Sequence, residues 1–124
     1  MKFFALAALA VVSAESTEFK PTELAIETFA WGSEITWKLI NANGGTACSG
    51  GPYASATEYK IDDCSLDQGT YTLECHDSYG DGWHGAYVLL DGREFCKDFT
   101  NGELKKVTLR AGGSGRSEAL PATL

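Results

Sequence analysis

Between Leu24 and Leu109 the apolar residues of this chain recur at every second position, in short runs broken by turn residues. Leu24, Ile26 and Thr28 alternate with Ala25, Glu27 and Phe29, and Ile35, Trp37 and Leu39 alternate with Thr36, Lys38 and Ile40. Tyr59 and Ile61 follow, then Tyr71, Leu73 and Cys75, then Tyr87 and Leu89; Val107 and Leu109 close the series. A period of two sends successive side chains to opposite faces of a pleated strand, so each run reads as a strand with one buried face. The residue types agree, because β-branched and aromatic side chains pack well on a pleated surface.

Turn signals separate the runs: Trp31-Gly32-Ser33, Asn41 to Gly45, Ser49 to Pro52, Gln68-Gly69, Asp91-Gly92 and Asn101-Gly102. Asn-Gly and Asp-Gly suit two-residue hairpins, whose central residues both need positive φ. About eight short strands at this spacing predict an all-β fold, an antiparallel β-sandwich of jelly-roll-like form. Two hairpins resemble each other. Trp37 to Ile40 is followed by Thr46 to Ser49, and Tyr87 to Leu90 by Glu94 to Lys97, each second strand carrying a cysteine. The match is short, so it reads as two similar hairpins rather than a duplication.

The amino terminus follows another rule. Lys2 precedes an unbroken apolar run, Phe3 to Val12, and small residues follow at Ser13-Ala14. This is the pattern of a secretory signal peptide, too short for a stable membrane span. It predicts cleavage after Ala14 and a secreted, extracellular product with no transmembrane segment after cleavage. The expected organisation is a signal peptide over 1–14, an extended lead-in over 15–22, the β-sandwich over 23–110 and a flexible tail over 111–124. The tail opens with Gly112-Gly113-Ser114-Gly115, a linker composition. Loss of Lys2 takes the net charge from −7 to −8. A chain so acidic lacks the basic patch that nucleic acid or an anionic lipid surface requires.

Cys48, Cys64, Cys75 and Cys96 form an even set in a small exported domain, which predicts two disulfides. No Cys-x-x-Cys spacing suggests structural zinc. Four cysteines allow three pairings. Cys48 closes the first hairpin and Cys64 sits one short strand later, while Cys75 and Cys96 flank the next loop and hairpin. Position therefore favours Cys48–Cys64 and Cys75–Cys96; a Cys48–Cys96 bond would instead fit a duplicated hairpin.

The loop between two of the strands, His76 to Gly85, packs Asp77, Asp81, Tyr79, Trp83, His84 and three glycines into ten residues. Three readings of it stand. Asp77 and Asp81 can cap turns by accepting backbone N–H bonds. They can instead hold Ca²⁺, with Asp62, Asp63 or Asp67 supplying further oxygens, since calcium takes six to eight. The Asp-x-Asp-x-Asp-Gly pattern of the best-known calcium loops is absent. Tyr79, Trp83 and His84 can also form an exposed aromatic platform for a polysaccharide or an extracellular protein. Catalytic readings have less behind them. Ser78 lacks a Gly-x-Ser-x-Gly elbow. Asp77 with Asp81 has no spacing that marks a glycosidase. A histidine–metal site from His76, His84 and Asp77 would need His76 to turn from the face opposite Leu73.

Three segments together resemble a secreted β-module of microalgal and marine bacterial surface proteins. They are Ser33-Glu34-Ile35-Thr36-Trp37-Lys38-Leu39, Gly50-Gly51-Pro52-Tyr53, and Tyr71-Thr72-Leu73 leading into Asp77 to Gly85. The resemblance covers about Trp31 to Thr100 and bears on fold and location, because the function of such modules is largely unassigned. With no catalytic signature in the loop, the expected function is that of a non-enzymatic binding or structural module of a cell-surface layer, matrix or surface appendage. The rival is a small secreted hydrolase or inhibitor-like effector, which calls for a cleft holding a perturbed carboxylate or histidine.

Overall fold

The computed structural model describes residues 23–112 and 118–119. The expected signal peptide, the lead-in and the tail beyond Gly112, apart from Glu118–Ala119, lie outside the described residues. The strands are β1 (Leu24–Glu27), β2 (Ile35–Asn41), β3 (Thr46–Gly50), β4 (Glu58–Ile61), β5 (Gly69–Asp77), β6 (Tyr87–Leu90), β7 (Arg93–Phe95), β8 (Leu104–Ala111) and β9 (Glu118–Ala119). One turn of 3-10 helix, Gly32–Glu34, leads into β2. The strands form two antiparallel sheets, ordered β4-β1-β6-β7 and β3-β2-β5-β8-β9. The all-β sandwich expected from the alternation is present.

Both hairpins expected from sequence are present, β2–β3 in one sheet and β6–β7 in the other. At the second, Asp91 and Gly92 have φ of 48° and 88°, the pair of positive values that a tight hairpin needs. Apart from β8 with β9, the remaining pairings are long-range. β1 lies between β4 and β6, with Ile26 opposite both Tyr59 and Val88. β5 lies between β2 and β8, with Leu73 opposite Leu39 and Val107.

Alternation builds the core. Leu24 and Ile26 of β1 and Val88 and Leu90 of β6 point inward from one sheet. Ile35, Trp37 and Leu39 of β2, with Tyr71, Leu73 and Cys75 of β5, meet them from the other. Burying one such side chain fully contributes about 1.5–3 kcal/mol.

The disulfides are Cys48–Cys64 and Cys75–Cys96, with Cα separations of 5.9 and 6.7 Å. Each joins one sheet to the other. Cys48 lies on β3 and Cys64 just past β4; Cys75 lies on β5 and Cys96 just past β7. Beyond residue 110, Ala111 still belongs to β8 and is buried, and Glu118–Ala119 pairs with Leu109–Arg110.

Candidate functional site

The alternation of β5 runs one step further than its apolar residues. Tyr71, Leu73 and Cys75 point inward, and so does Asp77, which is 1% exposed. A buried carboxylate needs partners. Asp77 Oδ1 accepts the Tyr79 N–H at 3.1 Å, and Oδ2 accepts those of Gly80 at 3.1 Å and Gly82 at 2.5 Å. The chain thus curls around the carboxylate, and Asp77 acts as the turn clasp of the loop. The curl requires Gly82, whose φ is +89°. A Cβ there would stand 2.5 Å from the Phe99 carbonyl oxygen.

Trp83 corrects the expected platform. It is fully buried, packs against Phe99 with ring centroids 6.0 Å apart, and donates its indole N–H to the His76 carbonyl at 2.9 Å. A large apolar ring closing this end of the sandwich gains more from burial than from display, and its one polar atom is satisfied there. Trp83 therefore offers no surface to a ligand.

Asp81 faces a different set of groups. Ligand atoms of Glu34, Asp81 and His84 all lie within 4.8 Å of one another. The 3-10 turn supplies Glu34, and the Ser78 N–H donates to the Glu34 carbonyl at 3.1 Å, which pins the two loops together. His84 sits at φ 53° with Nε2 3.3 Å from Asp81 Oδ2. Glu34 Oε1 and Asp81 Oδ1 are both out of solvent and without a hydrogen-bond partner. The Glu34 carboxyl is held above its ordinary value, first by desolvation, then by the negative charges of Asp81 and Asp77, with His84 opposing.

This arrangement suits a cation, which would satisfy both orphaned oxygens. Two carboxylates with an imidazole suit zinc or manganese as well as a carboxylate-bound calcium. Asp62, Asp63 and Asp67 do not join the group. They lie on the β4–β5 connection, beyond the end of β5 opposite to Asp77. His76 does not join it either; its Nε2 pairs with Glu74 at 3.0 Å.

Three aromatic residues are displayed at this end: Tyr79 is 74% exposed, Trp31 58% and Phe29 44%. Tyr79 is where the sequence led us to expect it. Trp31 and Phe29 replace Trp83. The Trp31 carbonyl accepts the Glu34 N–H at 3.0 Å, which fixes the tryptophan three residues from the cluster. Trp31 has φ 58°, a conformation costly for a bulky side chain. The Phe29 ring lies 3.6 Å from where a Cβ on Gly85 would stand.

Sequence reasoning did not single out Glu34, Trp31 or Phe29 as site residues. The available signals were the Trp31-Gly32 turn and Glu34 in the first resembling segment. The three resembling segments also touch. Trp37 Nε1 donates to the Tyr53 hydroxyl at 2.7 Å, and Glu34 meets the Asp77–Gly85 loop.

A groove of about 460 Å³ opens elsewhere, on the outer face of the β4-β1-β6-β7 sheet, and shares no residue with this cluster. Among the described residues, no helix is long and apolar enough to cross a membrane. Comparison of the chain with protein families, with curated proteins and with solved structures finds no match.

Proposed function

We propose that this chain is a secreted, non-enzymatic binding or structural module of a cell-surface layer, matrix or surface appendage. It engages an extracellular polysaccharide or protein through the loop end of the sandwich. The observation that carries this is Trp31, which is more than half exposed at a positive φ beside Glu34, Asp81 and His84. Backbone strain of that kind persists only where the surroundings over-determine it, and it clusters at functional sites. An aromatic face brings large contact area at little entropic cost. Phe29 and Tyr79 extend the apolar display around the cluster.

A divalent cation at Glu34, Asp81 and His84 fits the same end, with calcium and zinc as the ions to compare. The resemblance to secreted surface modules, the two disulfides and the apolar leader support export. A hydrolase would place a cleft over the perturbed Glu34, whereas the 460 Å³ groove lies on the sheet face.

Retention on immobilised polysaccharides, with calcium, with zinc and with chelator, tests the reading. Trp31→Ala and Tyr79→Ala should each lower retention while the melting temperature holds. Retention unchanged in both variants would remove the loop end as the binding surface. Sequencing the exported protein should find Glu15 first; a retained Met1 would remove the basis for secretion.

A further inference from the structure

The outer face of the four-stranded sheet carries more negative charge than its own cations balance. The register sets Glu58, Glu27 and Tyr87 side by side in one row, and Lys60, Ala25, Leu89 and Glu94 in the next. Like charges directly opposite each other on neighbouring strands destabilise the pair. Glu27 nonetheless faces Glu58, and among the described residues no salt bridge joins either to a lysine or arginine. On one side of this row Lys97 is engaged with Glu94 at 3.2 Å and lies 5.1 Å from the centre of the Tyr87 ring; on the other, Lys60 stands in the next row. The Tyr87 phenol is pushed up by desolvation and by the charges of Glu27 and Glu94, with Lys97 opposing.

Next to the Glu27–Glu58 row lies the groove of about 460 Å³. Ala25 and Leu89 give it apolar surface; Glu23, Glu58 and Asp62 give it negative charge, and among the described residues Lys60 is the single cation that lines it. That combination matches a side chain with an aliphatic stem and a cationic head. The stem covers apolar surface while the head stays among carboxylates. The rows are two residues apart along each strand, the same spacing at which an extended peptide presents side chains on one face. Among the described residues β4 is also an edge strand, pairing only with β1 in its sheet, which leaves a side along which an extended segment can align.

We propose that this face docks an extended basic segment of a partner protein, with lysine or arginine at alternate positions. One basic side chain enters the groove, and the next lies over the Glu27–Glu58 row. The Glu27–Glu58 row and the groove share no residue with the Glu34, Asp81 and His84 cluster, so variants of one leave the other in place.

The test is a fluorescence-anisotropy titration of a labelled peptide of alternating lysine and serine with the purified chain. Its glutamate–serine counterpart serves as the control. Saturable binding that weakens with salt is expected for the lysine peptide alone. The double variant Glu27→Gln/Glu58→Gln should weaken it about tenfold. Because that variant relieves a repulsion, it should melt no lower than the parent, so lost binding is not lost folding. Asp67→Asn/Asp98→Asn removes the same charge away from the face and should change affinity less than about twofold. Equal losses in both double variants would reduce the effect to bulk charge and overturn the proposal. So would binding that fails to saturate. Self-association of the chain through Glu27 and Glu58 without peptide binding would assign the face to a second copy, and equally overturn it.

Discussion

The Asp77 carboxylate accepts the N–H of Gly82, five residues ahead, at 2.5 Å. With the bonds from Tyr79 and Gly80, this one inward-facing side chain shapes the loop that carries Asp81 to Glu34. Asp77→Ala leaves the buried Gly82 N–H and two part-buried N–H groups without their acceptor and should cost about 2–4 kcal/mol. Asp77→Asn keeps one acceptor oxygen and should cost less. Urea unfolding of the two variants checks the order; equal small losses would mean that the loop holds its shape without the clasp.

Two glycines with nearly the same backbone angle separate strain from crowding. Gly44 has φ +90° and open space where a Cβ would stand, while Gly82 has φ +89° and the Phe99 carbonyl in the way. Gly44→Ala should cost only the left-handed penalty, about 1–2 kcal/mol. Gly82→Ala adds overpacking of about 1–3 kcal/mol. Thermal melts of both variants decide it, and a Gly82→Ala protein as stable as Gly44→Ala would contradict the close approach.

Glu34 predicts a pH dependence of definite sign. Its folded-state value lies above the ordinary 4.5, so the folded chain holds this proton more tightly than the unfolded chain. The associated stability is fully present below the unfolded value and is lost as pH rises through the folded one. Glu34→Gln removes this slope. In chelator, the parent should lose ground to the variant as pH rises from the ordinary carboxylate range through the raised folded-state value. Added calcium or zinc should then stabilise the parent and not the variant. Parallel pH curves, or equal cation effects, would count against the cluster.

The cross-links should matter to a domain of this size. Removing the Cys75–Cys96 bond, which spans a sequence separation of 21 residues, should cost about 3 kcal/mol on the chain-entropy account. Cys75→Ala/Cys96→Ala, compared with the parent by denaturant melts, measures it. A loss near zero would mean that the two sheets are held together without help at that flank.

Much of the fold was legible because alternation is a local signal. Ile35, Trp37 and Leu39 could be placed on one face of a strand from their spacing, and Asp91-Gly92 marked its own hairpin. Disulfide pairing followed once the cysteines were placed on strands. The order of strands was not legible, since β1 pairs with β4 and β6 across long stretches of chain. The site was half legible for a similar reason. Asp81 and His84 stand out in their loop, but Glu34 joins them only through the pairing of β2 with β5, which sets Ile35 opposite Asp77. Asp77 continues the inward positions of β5, and that pattern separates a clasp from a solvent-facing ligand. Trp83 misled because a tryptophan in a glycine-rich loop carries no periodicity to say which way it faces.

The Cys75–Cys96 bond encloses the whole segment from His76 to Phe95. When a chain is pulled from its ends, force takes the shortest covalent route. Here that route crosses from Cys75 to Cys96 through the sulfurs, so the loop bearing Asp77, Asp81 and His84 stays off the path of tension. Cys48–Cys64 shunts force past the stretch between its own cysteines in the same way. Under shear the molecule can therefore lengthen elsewhere while this loop remains slack.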